Sequence, residues 1–213
     1  MISSVSALSI GILVLFFVIL IVSLSFHEAA HAWAADRLGD PTARRLGRLT
    51  MNPLAHIDPI GTILFPLLAF WSGLPVLGWA KPVPVNARNL RAPRRDFAMV
   101  ALAGPVSNIL LAFGASLALS FIFGSRGTVG IDTADGFLTW VVQLNLLLAV
   151  FNMIPVPPLD GGNVLAGFVS EPVAQLIDRL RPWGFLILYA MLFTGVLWQI
   201  VDPFYSALLR MFL

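Results

Sequence analysis

Phe26-His27-Glu28-Ala29-Ala30-His31-Ala32 stands where an uncharged run that begins at Val5 first meets charge. Residues four apart on an α-helix are separated by about 400° of rotation, so His27 and His31 stack on one face and can offer imidazole nitrogens to a single metal ion. That is a zinc site in outline. Glu28 is badly placed to be a ligand but well placed to take a proton from an attacking water, as metal-assisted hydrolysis requires. His-Glu-x-x-His is a short pattern that recurs by chance. Its position at the end of a long apolar run sets this occurrence apart.

The composition says what that run is. The chain has 213 residues, 58% of them hydrophobic and 11% charged, and a mean hydropathy of +0.88. One soluble core of this size cannot hide so much apolar surface, so an integral membrane protein is expected. Val5 to Phe26, Phe97 to Ser125, Phe137 to Leu159 and Pro182 to Val201 are uncharged or nearly so. At about 1.5 Å per helical residue each can cross a hydrocarbon layer of about 30 Å, which predicts four spans. Without cysteine there is no disulfide, thiolate zinc site or cysteine nucleophile. Repeats and long polar linkers are absent, so residues 1–213 read as a single integral-membrane domain, with a core over about 5–168 and a C-terminal span over about 182–201.

The first run could instead be a secretory signal peptide, with Ala30-His31-Ala32 as an A-x-A cleavage site. It is too long for a signal h-region, however, and no Lys or Arg precedes it. A spanning helix from about Val5 to Leu38, stopped by Gly39-Asp40-Pro41, is the better reading. Residues 41 to 60 are rich in Pro and Gly and predict short extended pieces and turns. Lys81-Pro82-Val83-Pro84-Val85-Asn86 alternates Pro with Val, as an edge strand does.

Nine of the 13 basic residues, Arg37 through Arg95, lie between the first span and the Phe97 run, and Arg179 and Arg181 follow the Phe137 run. The positive-inside rule puts these segments in the cytoplasm and the N-terminus outside. Thr62 to Trp79, apolar but broken by Pro66, Gly73 and Pro75, then reads as a re-entrant hairpin turning near Trp71-Ser72-Gly73-Leu74-Pro75. The Phe97 run contains Ala103-Gly104-Pro105-Val106-Ser107-Asn108. Gly104 and Pro105 read first as a kinked packing seam, and Asn108 as a buried amide that needs partners and could hold a neighbouring element in place. The loop after this run, with Arg126, Asp132 and Asp135, is expected outside.

The Phe137 run ends in Asn152-Met153-Ile154-Pro155-Val156-Pro157-Pro158-Leu159-Asp160-Gly161-Gly162. Its prolines and glycines stop the helix and hold Asp160 in an unwound loop at the cytoplasmic face. Asp160 could cap the next helix, or supply a carboxylate beside His27 and His31, a donor set that catalytic zinc accepts.

His27-Glu28-Ala29-Ala30-His31 with the N-x-x-P-x-P-x-x-D-G stretch at 152–161 resembles the site-2 protease family of intramembrane zinc metalloproteases. Leu38-Gly39-Asp40-Pro41-Thr42-Ala43, Gly47-Arg48-Leu49-Thr50-Met51-Asn52-Pro53 and His56-Ile57-Asp58-Pro59-Ile60-Gly61-Thr62 resemble its compact bacterial and archaeal branch, which lacks PDZ-like and CBS-like domains. The resemblance covers about residues 20 to 165. It implies one Zn²⁺ held by His27, His31 and Asp160, Glu28 as general base, and Asn152 as an oxyanion donor. It also implies an all-α polytopic fold, with a three-helix catalytic core and a small membrane-associated β-segment. The expected partners are a transmembrane protein substrate and the bilayer.

A substrate inside a transmembrane helix must be unwound locally, and the pieces near Arg48 to Asn52 and Lys81 to Asn86 could hold it by strand addition. His56 reads first as a hydrogen-bonded turn residue, with a third histidine near the metal or a substrate contact as alternatives. A metal transporter using His27, His31 and Asp160 as a transit site is the alternative function, and a zinc-braced membrane protein without activity a third. Neither has use for Glu28 as a base. There is no nucleic-acid motif beside the basic residues, no G-x-S-x-G and no intramembrane aspartate pair.

Overall fold

The computed structural model describes residues 7–73, 78–124 and 134–213. The apolar run and the His-Glu-x-x-His pattern form one continuous helix, α1 (Ala7–Arg37). It stops where Gly39 takes a φ of 113°, a left-handed conformation that glycine adopts without a Cβ penalty. After a single turn, α2 (Thr42–Arg45), the chain runs irregularly to Pro59, where a wide helical turn over Pro59–Leu64 leads into α3 (Phe65–Ser72). Asp58 caps that turn, its carboxylate accepting from the N–H groups of Ile60 and Gly61.

Beyond an irregular segment over 78–92 stands α4 (Pro93–Phe123), which continues through Pro105. It packs against α1 through Ala34, Ala35 and Val100. It meets α5 (Ala134–Asn152) through Ala112, Ala115, Val142 and Leu146. α4 is therefore the central post, and small side chains on its inner faces let both neighbours approach closely. Val14, Val18 and Val22 on α1, with Leu110, Phe113, Leu117 and Phe121 on α4, face outwards. These helices lack a polar face, so their surroundings must be apolar. α1 and α4 are long and apolar enough to cross a membrane, and the chain is a membrane protein.

The C-terminal third departs from expectation. After α6 (Asp160–Phe168) and the amphipathic α7 (Glu171–Leu180), the expected span from Pro182 to Val201 is divided into α8 (Gly184–Phe193) and α9 (Val196–Phe212). The break falls at Thr194-Gly195, where Gly195 has a φ of 78°, and the helical segments on its two sides meet at 80°. The bend lets Leu188 and Leu192 of α8 and Leu197 and Val201 of α9 close on Ile154 and Leu159 in one cluster. Among the described residues two helices are thus long and apolar enough to cross a membrane, and the bent pair counts as at most one more. The Phe137 run ends its helix at Asn152, seven residues before Leu159.

The expected β-segment also takes another form. Among the described residues there is no strand. Pro82 and Pro84 supply no N–H for a ladder, and donors between and beside them go elsewhere. Lys81 N–H donates to the His56 carbonyl, Val83 N–H to Glu28 and Asn86 N–H to Asp40. The expected turn of the 62–79 hairpin includes Leu74 and Pro75, which lie outside the described residues, as do Arg126 and Asp132 in the loop expected outside. The hairpin's base is described: Trp79 N–H donates to the Gly61 carbonyl at 3.1 Å, and the Thr62 hydroxyl to the Trp79 carbonyl at 2.9 Å.

Candidate metal centre

His27 and His31 lie one turn apart on α1, their ring centroids separated by 4.7 Å and their planes nearly perpendicular. Both are buried, as is Glu28 between them, and the nearest donor atoms of the three lie within 4.8 Å of one another. The tertiary fold adds Asp160. It is the first residue of α6, and its carboxylate turns to the histidines instead of capping the helix. Asp160 Oδ2 lies 3.0 Å from His27 Nε2 and 3.4 Å from His31 Nε2.

The donor set fits zinc. A tetrahedral ion with bonds of about 2.0–2.1 Å separates neighbouring ligand atoms by about 3.3 Å, close to both distances. The protonation pattern agrees. His31 Nδ1 lies 2.7 Å from the Val100 carbonyl, which can only accept. His27 Nδ1 lies 2.6 Å from Asn108 Oδ1. With both Nδ1 atoms donating, both Nε2 atoms face one carboxylate oxygen, and a shared cation would satisfy all three.

Gly104 completes the cradle from α4. A Cβ built on it would lie 2.5 Å from His27 Nε2 and from His31 Nε2, roughly where the ion would sit. The packing-seam reading of Gly104 therefore falls short, since its missing side chain is part of the site. Gly104 and Asn108 are four apart and share a face of α4 as the histidines share a face of α1. Each spacing is readable in the sequence, but only the fold brings the two pairs face to face. Gly161 serves the same assembly, because a Cβ there would lie 2.3 Å from the Met153 carbonyl and push α6 off the loop that precedes it.

The centre opens into a cavity of about 600 Å³, lined by Phe97, Leu148, Phe151, Asn152, Val83 and Trp79 among others. Trp79 lies between Phe65, which it meets edge to face, and Phe185, at centroid distances of 5.1 and 5.4 Å, closing one side. Glu28 Oε2 accepts from the N–H of Val83 at 2.9 Å, so the irregular segment reaches the carboxylate directly. Nothing in the Pro-Val alternation announced that contact. Asn152, at the end of α5, gives one amide hydrogen to the Leu148 carbonyl at 3.0 Å. The other stays available, because an amide NH₂ carries two.

His56 stands apart from this group. It follows the short helical turn Pro53–Ala55, is buried, and its Nε2 lies 2.9 Å from the Thr50 carbonyl. The turn reading describes it. Asp40, at the far end of α1, ties the irregular segment down. Its carboxylate accepts from the Thr42 hydroxyl at 2.5 Å, the Asn89 amide at 2.8 Å and the Asn86 N–H at 2.6 Å. Burial pushes the Asp40 pKa up, but these bonds outweigh it and hold the carboxyl below its ordinary range.

The model of peptidase family M50 matches residues 15–194. The chain is 38% identical to "Putative zinc metalloprotease YwhC" of Bacillus subtilis (strain 168) over 91% of its length and 88% of that protein's. It is 30% identical to "Putative zinc metalloprotease Rip2" of Mycolicibacterium smegmatis, covering 88% of this chain and 70% of the relative. The Rip2 protein of Mycobacterium tuberculosis (strain H37Rv) is 32% identical, over 85% of this chain and 71% of its own. No solved structure matches. With the match spanning the helices that build the centre, the chain belongs to peptidase family M50, the site-2 protease family of zinc metalloproteases.

Proposed function

We propose that this chain cleaves peptide bonds in or beside the transmembrane helices of membrane-protein substrates, with His27, His31 and Asp160 holding one zinc ion. The observation that carries the reading is Asp160 Oδ2 standing 3.0 and 3.4 Å from the two Nε2 atoms, across 133 residues of sequence from His27. When bound, zinc supplies Lewis acidity, which polarises a peptide carbonyl and makes water easier to deprotonate.

The chain's own groups do the rest. Glu28, oriented by Val83 N–H, takes the proton of the attacking water and returns it to the leaving amine. Asn152 offers its second amide hydrogen to the developing oxyanion, a contact worth about 2.7–4 kcal/mol if it behaves like other such donors. The Leu148 carbonyl holds that amide in place. The apolar walls at Phe97, Phe151 and Val83 suit a segment drawn from a transmembrane helix, and exclude bulk water from the reacting carbonyl. A transit site has no use for Glu28 as a base, and its burial beside the histidines in contact with Val83 N–H argues against transport.

The orientation belongs to the same reading. The closed base of the hairpin, Trp79 against Gly61, supports a segment that enters and leaves the membrane on one face. With the arginines of 44–48 and 88–95 both cytoplasmic, the N-terminus lies outside and the centre near the cytoplasmic face.

The test begins with metal content, which needs no substrate. Detergent-purified wild type should carry about one zinc per chain, and Asp160→Ala should lose or weaken it. A wild type that binds no zinc when supplied with it would overturn the reading. Transmembrane substrates screened against wild type and Glu28→Gln should then be cleaved by the first alone.

A further inference from the structure

We propose that Asn145, on α5, is a positioning residue for the metal, fixing which nitrogen of His27 carries the proton. The inference rests on the zinc reading above and adds a role for a residue that is fully buried and does not line the cavity.

Ser23 and His27 of α1, Asn108 of α4 and Asn145 of α5 are all buried, and they form a continuous hydrogen-bonded chain. An asparagine amide accepts at one end and donates at the other, so such a chain has a direction. Here backbone carbonyls set it. Asn145 Nδ2 donates to the Val141 carbonyl at 2.9 Å and to Ser23 Oγ at 2.9 Å. Its Oδ1 is thereby turned to Asn108 and accepts from Nδ2 at 2.9 Å. Asn108 Nδ2 also approaches the Ser23 carbonyl at 3.4 Å. Asn108 Oδ1 is left facing His27 Nδ1 at 2.6 Å, where it must accept. Nδ1 is thereby the donor, and Nε2, 3.0 Å from Asp160 Oδ2, is the nitrogen left to ligate a metal.

His31 reaches the same state through one bond, from Nδ1 to the Val100 carbonyl. A backbone carbonyl cannot reverse, whereas the Asn108 amide can. Rotated by half a turn it would present N–H groups to His27 Nδ1, move the proton to Nε2 and block ligation. Asn145 prevents that turn by holding the far end of the amide.

The chain has three histidines, so their tautomers can be read by nitrogen NMR on metal-free protein labelled at histidine. In wild type, His27 should be protonated at Nδ1. Asn145→Leu removes both ends of the amide at similar volume; His27 should divide between tautomers, and zinc affinity measured by chelator competition should fall about 10–100-fold. Asn145→Asp keeps an acceptor toward Asn108, so its tautomer and zinc affinity should stay as in wild type while thermal stability falls. A merely structural role would make affinity follow stability in both variants. Wild-type tautomer and zinc affinity in Asn145→Leu would overturn the proposal, as would an Asn145→Asp that loses zinc equally. Should Asn145→Leu not fold, Asn145→Ser takes its place, its hydroxyl being too short to reach Asn108, and the same readings decide. A wild type that binds no zinc overturns the metal reading instead, and the tautomer, read without metal, separates the two failures.

Discussion

His27 and Glu28 are neighbours on one helix turn, yet the protein holds their functional ends in opposite ways. The imidazoles point into a cradle of rigid parts: α1, the bare backbone of Gly104 on α4, and Asp160 at the start of α6. Glu28 instead meets Val83, in an irregular segment pinned by side chains at Asp40 and Arg48 and by a few backbone bonds. A metal needs fixed distances, because its ligand bonds tolerate errors of only a few tenths of an ångström. A base, the role proposed for Glu28, would need a neighbour that can yield, because in that reading an extended peptide passes there. The protein builds the first from helices and the second from a Pro-rich strap.

Gly104→Ala attacks the cradle and should have the largest effect. Its Cβ would stand about where the ion sits, so zinc content should fall to near zero and cleavage should cease, with helix content unchanged by circular dichroism. One zinc per chain in this variant would break the comparison at its stronger side. Glu28→Gln should leave zinc bound and lower the cleavage rate by about 10²–10⁴-fold, the usual span for a general base. Cleavage at the wild-type rate would remove Glu28 from the mechanism.

The strap should respond more gently. Val83→Pro deletes the N–H that orients Glu28, and hydrogen bonds to charged groups are worth about 1.5–3 kcal/mol. Cleavage should slow on the order of tenfold with zinc content unchanged. A variant that lost its zinc would show that cradle and strap are one unit. The smallest effect should come from acid. Asp40's depressed pKa contributes stability that is fully present above its unfolded value, about 3.9, and lost as pH falls through the folded value. The thermal midpoint of wild type should therefore drop below about pH 4 more steeply than that of Asp40→Asn. Parallel curves would show that the strap's anchor does not depend on this charge.

Much of this site was legible in the sequence. The i,i+4 spacing of His27 and His31 is a local property of the helix, and the Pro and Gly around Asp160 mark a stopped helix wherever it folds. The apolar runs likewise announced α1 and α4, because chain length and hydropathy decide whether a helix can cross a membrane. The break at Thr194-Gly195 was not legible. A glycine in an apolar run is compatible with a straight helix, and here the shared cluster with Ile154 and Leu159 accompanies the bend. The strand expected at 81–86 failed for a related reason. Alternation gives the period of a strand but not the partner, and no partner strand is described.

By itself, then, the sequence indicated the medium, the principal helices and the His27-Glu28-His31 group, which rest on composition or on spacings within one or two helical turns, and it offered Asp160 only as a carboxylate in a second motif. Only the tertiary structure decided that Gly104 leaves room for the ion, that Val83 reaches Glu28, and that Asn108 and Asn145 stand behind His27. Those contacts join residues 37 to 81 positions apart, and no local periodicity encodes which faces of three helices will meet.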